Sequence, residues 1–166
     1  MEYRNGKLYL LALVLIMGVV ISALGGGAFG QQEFWLMQWQ HQAFMPLCHQ
    51  IPERSFWIAG QPMAVCSRCL GIYTGFALGW LLLPVIDCQR VFHGLVAKRL
   101  LGIMLLVNAA DVLGDFIGFW ENTLISRWGL GFALGMTATR LFSGVFFNRK
   151  IKSTGDLYGR ITSSGV

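Results

Sequence analysis

Four runs of apolar residues, each about as long as a bilayer is thick, leave this chain few ways to fold. They extend over about residues 8–28, 66–83, 95–119 and 128–147. A helix crossing roughly 30 Å of hydrocarbon needs about 20 mostly apolar residues, so a chain of 166 residues has room for four spans, their connections and little else. With 55% hydrophobic and 13% charged residues, there is too little polar surface to cover a water-soluble globule of this size. The expected fold class is therefore all-α: an integral membrane four-helix bundle forming a single transmembrane domain over residues 1–166.

The first run follows Arg4 and Lys7 and ends in Gly25, Gly26 and Gly27. Ala28-Phe29-Gly30 offers small residues of the kind found at signal-peptide cleavage sites, but the run is long for a signal peptide and reads as a retained helix. From about 31 to 65 the chain turns polar and aromatic, with Trp35, Trp39, Pro46, Pro52, Trp57 and Pro62, and reads as a long loop. Within it, Phe34 to Met45 suggests a short helix lying in the membrane interface, where amphipathic rings are favoured. Pro84 is expected to stop the second span, because proline removes a helical hydrogen bond and clashes with the preceding turn. Gly71, Gly75 and Gly79 recur every four residues, and Gly114 with Gly118 and Gly131 with Gly135 repeat the spacing, which predicts close helix–helix packing. No phosphate-cradling glycine fingerprint is present. The polar stretch from Ser153 to Val166 reads as a mobile tail.

The net charge of +5 is distributed in a way that argues against nucleic-acid binding: the Lys and Arg residues flank apolar runs and form no basic stripe with interleaved aromatics. Arg4 and Lys7, then Arg90, Lys98 and Arg99, then Arg149, Lys150 and Lys152 mark three cytoplasmic segments. The two remaining connections are nearly neutral, one balancing Glu33 and Glu53 against Arg54 and Arg68, the other holding Glu121 and Arg127. This alternation predicts both termini in the cytoplasm, the 31–65 loop outside, and residence in a cell inner membrane.

On that topology Cys48, His49, Cys66 and Cys69 all face the extracytoplasmic side, with Cys88 on the other. Cys66 and Cys69 share a face at the start of a helix, where the helix N-terminus and Arg68 favour thiolates. Three cysteines and one histidine are a ligand set that zinc takes in tetrahedral sites. Cys48 and His49 are adjacent, which is awkward for one ion, so His49 is alternatively placed to orient or protonate a neighbouring group. An odd number of outer cysteines argues against a purely structural disulfide. It leaves a metal site, an exchanging dithiol with Cys48 as third partner, or a disulfide with one bystander thiol.

In the third run Asn108, Asp111 and Asp115 lie on one helical face, with Asp111 roughly 12 Å below Phe119 at 1.5 Å per residue. An intramembrane carboxylate is costly unless paired or hydrated, which makes Asp111 a candidate functional residue, or else a structural partner of Arg127 or Asn122. Asp115, being shallower, reads as structural. With spans two and three as antiparallel neighbours, Asp111 is expected near the Cys-x-x-Cys. Arg140 reads as an anchor reaching the cytoplasmic headgroups. His41 and His93 have no spacing that names a site, and Ser55 and Ser67 form no recognisable hydrolytic arrangement.

Cys48-His49-Gln50, Pro52-x-Arg54-Ser55-Phe56, Gly60 and Val65-Cys66-x-Arg68-Cys69-x-Gly71-Ile72-Tyr73 together resemble the signature of a domain-of-unknown-function family of small prokaryotic membrane proteins. Asp111, Asn122, Arg127 and Gly131 are similar to a looser pattern in the same family; Leu70 departs from it where a small or polar residue is expected. The resemblance implies a membrane location and a shared site that includes Arg54 and Ser55. An arginine such as Arg54 could clamp an anionic headgroup or phosphate, or balance the thiolates.

These residues predict a membrane-embedded metal-binding protein whose site of Cys48, His49, Cys66 and Cys69 holds zinc or another thiophilic transition metal. Asp111, Arg54 and Arg127 are its candidate catalytic residues, acting on a lipid-linked or periplasmic substrate. The alternatives are a thiol-disulfide or quinone-linked oxidoreductase using Cys66 and Cys69, and a carrier or accessory subunit in which the Asp111 face binds an ion or a partner helix. The expected partners are the bilayer and a small molecule, lipid or membrane protein; whether the chain is an enzyme stays open.

Overall fold

A computed structural model describes residues 6–31, 34, 37–88 and 94–142. These residues form four long helices: α1 (Gly6–Ala23), α3 (Ser67–Cys88), α4 (Gly94–Ile117) and α5 (Leu124–Thr139). The 31–65 connection is folded. It carries a short helix α2 (Trp39–Phe44) and a two-stranded hairpin, β1 (Trp57–Ile58) and β2 (Gln61–Pro62). Arg4, Glu33, Trp35, Arg90, His93, the 143–147 end of the fourth expected span and the 153–166 tail lie outside the described residues.

α1 and α4 are each long and apolar enough to cross a membrane. Both turn bare hydrocarbon outward, with Leu10, Val14 and Leu15 exposed on α1 and Leu106, Leu113, Phe116 and Ile117 exposed on α4. Water would penalise such a surface by about 25 cal/mol for every Å² of it, whereas lipid does not.

The central contact is between α3 and α5, with α1 laid on α3 and α4 on α5. Glycine makes the central contact possible. A Cβ at Gly71 would sit 2.1 Å from the Trp128 carbonyl oxygen, and one at Gly75 would sit 2.2 Å from that of Phe132. From the other side, Gly131 abuts the Arg68 carbonyl and Gly135 that of Ile72, where an added Cβ would again lie 2.2 Å from the oxygen. The two backbones therefore touch directly, as the four-residue glycine spacing predicts. The pair Gly114 and Gly118 does something else. Gly114 is covered by the Trp120 ring, and Gly118 adopts φ 74 as the left-handed residue ending α4. Phe119 N–H donates to the Gly114 carbonyl at 2.8 Å and Gly118 N–H to that of Asp115 at 3.3 Å, which is the Schellman closure.

Several boundaries differ from the sequence expectation. α1 ends at Ala23 instead of about 28 because Gly25 turns the chain at φ 77 and Gly26 and Gly27 are pressed beneath the loop, against the Gln38 side chain and the Ile58 carbonyl. α5 begins at Leu124 instead of about 128. Thr123 caps it, its hydroxyl accepting from Ser126 N–H at 3.1 Å, so Arg127 lies inside the helix and not in the preceding connection. After Thr139 the helix tightens into a 3-10 turn, Arg140–Phe142.

Pro84 does not stop α3, which continues to Cys88. Proline at 84 deprives the Trp80 carbonyl of its helical donor. The hydroxyl of Tyr9 on α1 donates to that carbonyl instead, at 2.9 Å and out of contact with solvent. Trp80 Nε1 reaches back toward the Tyr9 carbonyl at 3.4 Å, and the two rings stack with centroids 5.8 Å apart. Buried Leu83 and half-buried Leu13, Ile16 and Phe76 complete this cluster. A second cluster lies at the opposite end of α3, under the folded loop, with Ala23, Phe44, Cys48, Met63, Ala64, Val65 and Leu70 at its centre.

Candidate functional site

Cys48, Cys66 and Cys69 meet on that second cluster, their sulfurs all within 4.8 Å of one another. Each is positioned by a different device. Cys48 follows α2, its N–H bonded to the Phe44 carbonyl at 2.9 Å. Gln50, held at φ 51, then ties the segment down: its side-chain amide donates to the His41 carbonyl at 2.7 Å and to the Ala64 carbonyl at 2.8 Å, joining α2 to the stretch that leads into Cys66. Cys66 stands at the cap of α3, its carbonyl accepting the first helical bond from Leu70 at 3.0 Å. Cys69 is one turn on, inside the helix.

The backbone serves the sulfurs. Cys66 N–H donates to Cys48 Sγ at 3.2 Å, and the Gln50 N–H also points to that sulfur. The N–H groups of Cys69 and Arg68 donate in turn to Cys66 Sγ, which occupies the place an N-cap oxygen would take. The thiols are consequently unequal. Its hydrogen bond to the Cys66 sulfur pushes the Cys48 thiol up, whereas bonds accepted from Cys48 and Cys69 hold the Cys66 thiol well below its ordinary range. All three are free cysteines. His49 stands outside the three-sulfur group, on the wall of the adjoining cleft.

That cleft, about 370 Å³ in volume, lies between the loop, α3, α4 and α5. Cys66, Ser67 and Cys69 form one wall, Ile51, Ile72 and Val112 give it apolar sides, and Arg54, Arg68 and Arg127 reach it from three elements. Beside it lie the carboxylates of α4. Asp111 pairs with Arg68. Asp115 takes two contacts from Arg127, at 2.8 and 2.9 Å, and a third at 3.5 Å from half-exposed Arg54. The partners differ from the expected ones: Arg127 belongs to Asp115, not Asp111, and Arg68 belongs to a carboxylate instead of to the thiols. Asn122 does meet Asp111, donating to its backbone carbonyl at 3.3 Å, and also gives its N–H to Asp115 Oδ1 at 3.4 Å. Asn108 donates to the Leu130 carbonyl at 3.3 Å and so joins α4 to α5. While α4 lies mainly on α5, the Arg68–Asp111 pair adds a tie to α3 at the thiol end.

His41, Ser55 and Gln50 make contacts that hold the loop in place. His41 is fully buried and hydrogen-bonded to the Pro62 backbone, with burial pushing its pKa down. Ser55 returns its hydroxyl to the Ile51 carbonyl at 2.9 Å. Gln50, which the motif contained but no chemistry singled out, is the pin that sets Cys48 against Cys66.

A family model described as "Predicted membrane protein (DUF2085)" matches residues 48–142, from the first thiol to the end of the described chain. An uncharacterized protein of Methanocaldococcus jannaschii is 33% identical over 147 residues, spanning 85% of this chain and 94% of its own length. A second uncharacterized protein, from Methanothermobacter thermautotrophicus, is 32% identical over 94 residues, 56% of this chain and 81% of the relative. No solved structure matches.

Proposed function

The chain belongs to the DUF2085 family of predicted membrane proteins, and from that premise we propose that it is a polytopic membrane metal-binding protein with Cys48, Cys66 and Cys69 as ligands. The observation that carries this reading is the convergence of three sulfurs within 4.8 Å, one from the loop after α2 and two from the start of α3. Zinc–thiolate bonds of about 2.3 Å in a tetrahedron separate sulfurs by roughly 3.8 Å, so the trio needs only a small contraction to close on an ion. Backbone N–H groups aimed at Cys48 and Cys66 support the same reading, because they stabilise the thiolate, which is the ligating form. Zinc or another thiophilic transition metal suits such a donor set.

Three protein sulfurs leave one position. His49 on the cleft wall is the protein's own candidate for it; otherwise that position opens on the cleft, where a water or substrate group would complete the shell and be polarised by the ion. Arg54, Arg127 and Asp111 are placed to orient what enters. In the full reading α1, α3, α4 and α5 are four spans with both termini in the cytoplasm of a cell inner membrane and the thiols outside. The positive segments flanking the spans support that orientation.

Metal analysis of the purified protein tests the proposal. One equivalent of metal is expected, lost in Cys48→Ser, Cys66→Ser and Cys69→Ser and kept in Cys88→Ser; metal-free protein, or metal unaffected by Cys66→Ser, refutes it. The backbone N–H groups on Cys66 Sγ favour a second reading, dithiol exchange, in which the Cys66 thiolate attacks a substrate disulfide and releases one of its sulfurs as thiolate, and Cys69 or Cys48 then resolves the mixed disulfide, releasing the other. Thiol trapping in intact cells would then find these cysteines in a mixture of oxidised and reduced states, and a uniform thiol state under both oxidant and reductant counts against it.

A further inference from the structure

The cleft beside the thiols holds more cationic donors than its carboxylates use. Three guanidinium groups line it, Arg54, Arg68 and Arg127, facing two carboxylates, Asp111 and Asp115. Each carboxylate already has one close arginine, and Arg54 adds only a 3.5 Å contact to Asp115 while its head stays half exposed. Among the described residues, the Nε atoms of Arg68 and Arg127 are buried without a hydrogen-bond partner. So is the hydroxyl of Ser67, a residue of 0% exposure on the cleft wall between Cys66 and Cys69. Buried polar groups lacking partners are uncommon, and a bound ligand or water is one way of satisfying them.

We propose that this cleft is a binding site for a phosphate group carried on an apolar ligand. Arg54, Arg68 and Arg127 converge from a loop and two helices, which suits a tetrahedral anion with oxygens on several sides better than a planar carboxylate. Ser67 supplies a neutral donor at its base. Ile51, Ile72 and Val112 form the flank along which an acyl or prenyl chain would lie. Arg54 is the residue free to swing onto the ligand, since it alone of the three is half exposed. The proposal deepens the metal reading by naming the chemical class of ligand delivered to the thiol site, but its donors are separate from the metal ligands.

The experiment uses full-length protein in nanodiscs of phosphatidylcholine. One arm adds inorganic phosphate, followed by 31P line broadening; the other incorporates phosphatidic acid or, as control, uncharged diacylglycerol, and counts retained lipids by native mass spectrometry. Phosphatidic acid should be retained over diacylglycerol, and Arg54→Gln should weaken retention about tenfold, the effect of losing one charge-assisted hydrogen bond. Ser67→Ala, which removes a hydroxyl with no internal partner, should weaken it less while leaving the fold intact. Broadening of inorganic phosphate that Arg54→Gln abolishes supports a free-anion ligand of the same chemistry; retention of phosphatidic acid alone supports a lipid. Equal retention of phosphatidic acid and diacylglycerol with no phosphate broadening, or binding unchanged in both variants, overturns the proposal. Metal content measured on the same samples separates the two readings: phosphate binding retained in metal-free Cys66→Ser protein leaves this site standing without a metal, and metal without phosphate binding refutes this site alone.

Discussion

Replacing Tyr9 by Phe removes one oxygen atom and tests how a proline is carried inside α3, in its last two turns. In the native helix Pro84 cannot donate to the Trp80 carbonyl, and the Tyr9 hydroxyl does so at 2.9 Å. Tyr9→Phe strands that carbonyl in an apolar surrounding, where an unmet acceptor costs about 1–3 kcal/mol. The ring itself stays, so the 5.8 Å stack on Trp80 is kept and the loss is confined to the hydrogen bond. Pro84→Ala restores a backbone N–H one turn after Trp80 and gives the carbonyl an alternative donor. Tyr9→Phe made in that background should therefore cost only about a third to a half as much, a coupling of roughly 1 kcal/mol in a double-mutant cycle. Equilibrium unfolding in detergent micelles, followed by tryptophan fluorescence and circular dichroism, measures all four proteins. Equal costs of Tyr9→Phe with and without Pro84 would refute the reasoning, since the hydroxyl would then not be standing in for the missing helical donor.

Three other outcomes are expected. Gly75→Ala places a methyl 2.2 Å from the Phe132 carbonyl oxygen, which forces α3 and α5 apart by about 1 Å and costs roughly 1–3 kcal/mol, whereas Gly129→Ala, with open space around it, should be neutral in the same unfolding assay. His41 is buried with its pKa pushed below the ordinary 6.5, so the unfolded chain takes up its proton first and stability should fall as pH drops through 6.5 toward the lower folded value. Measured as unfolding midpoint against pH, that slope should flatten in His41→Gln, and an unchanged slope would assign it to other groups. Ala59→Asn should stabilise the hairpin by up to about 1 kcal/mol, because residue 59 sits at φ 49, where asparagine is better tolerated than alanine; a lower thermal midpoint would contradict this.

The long helices were legible because lipid imposes a length and a composition, and the α3–α5 contact was legible because close approach demands glycine at a fixed interval. The thiol group was legible from residue type and spacing, and the family match begins at its first cysteine. Other features had weaker signatures. The hairpin turns on Ala59 and Gly60, at φ 49 and 78, where the sequence lacks the Asn-Gly pair that usually announces such a turn. Thr123 caps α5, but hydrophobicity begins in earnest only at Trp128 and drew the expected boundary late. Pro84 was read as a stop because local chemistry favours one; the donor that lets the helix continue lies 75 residues earlier, and no local pattern reveals it. The pairing of arginines with aspartates was equally inaccessible. Asp111 and Asp115 lie one turn apart on α4, and which guanidinium each receives depends on how α5 is rotated against α3.

The glycine contact between α3 and α5 also fixes what kind of motion the site can make. Where side chains interdigitate, a helix pair can adjust by changing rotamers, each at small cost. Here main chain rests on main chain at four successive points, from Gly71 against Trp128 to Gly135 against Ile72, and there are no torsions left to relax. Cys66, Ser67, Arg68 and Cys69 on one helix and Arg127 on the other are thus mounted on what amounts to a single stiff beam. Change at the cleft has to come from its other sides: the loop that carries Cys48 and Arg54, and α4 with its two carboxylates. A ligand of the kind proposed for this cleft would therefore enter and leave by the loop and α4 moving against a fixed wall.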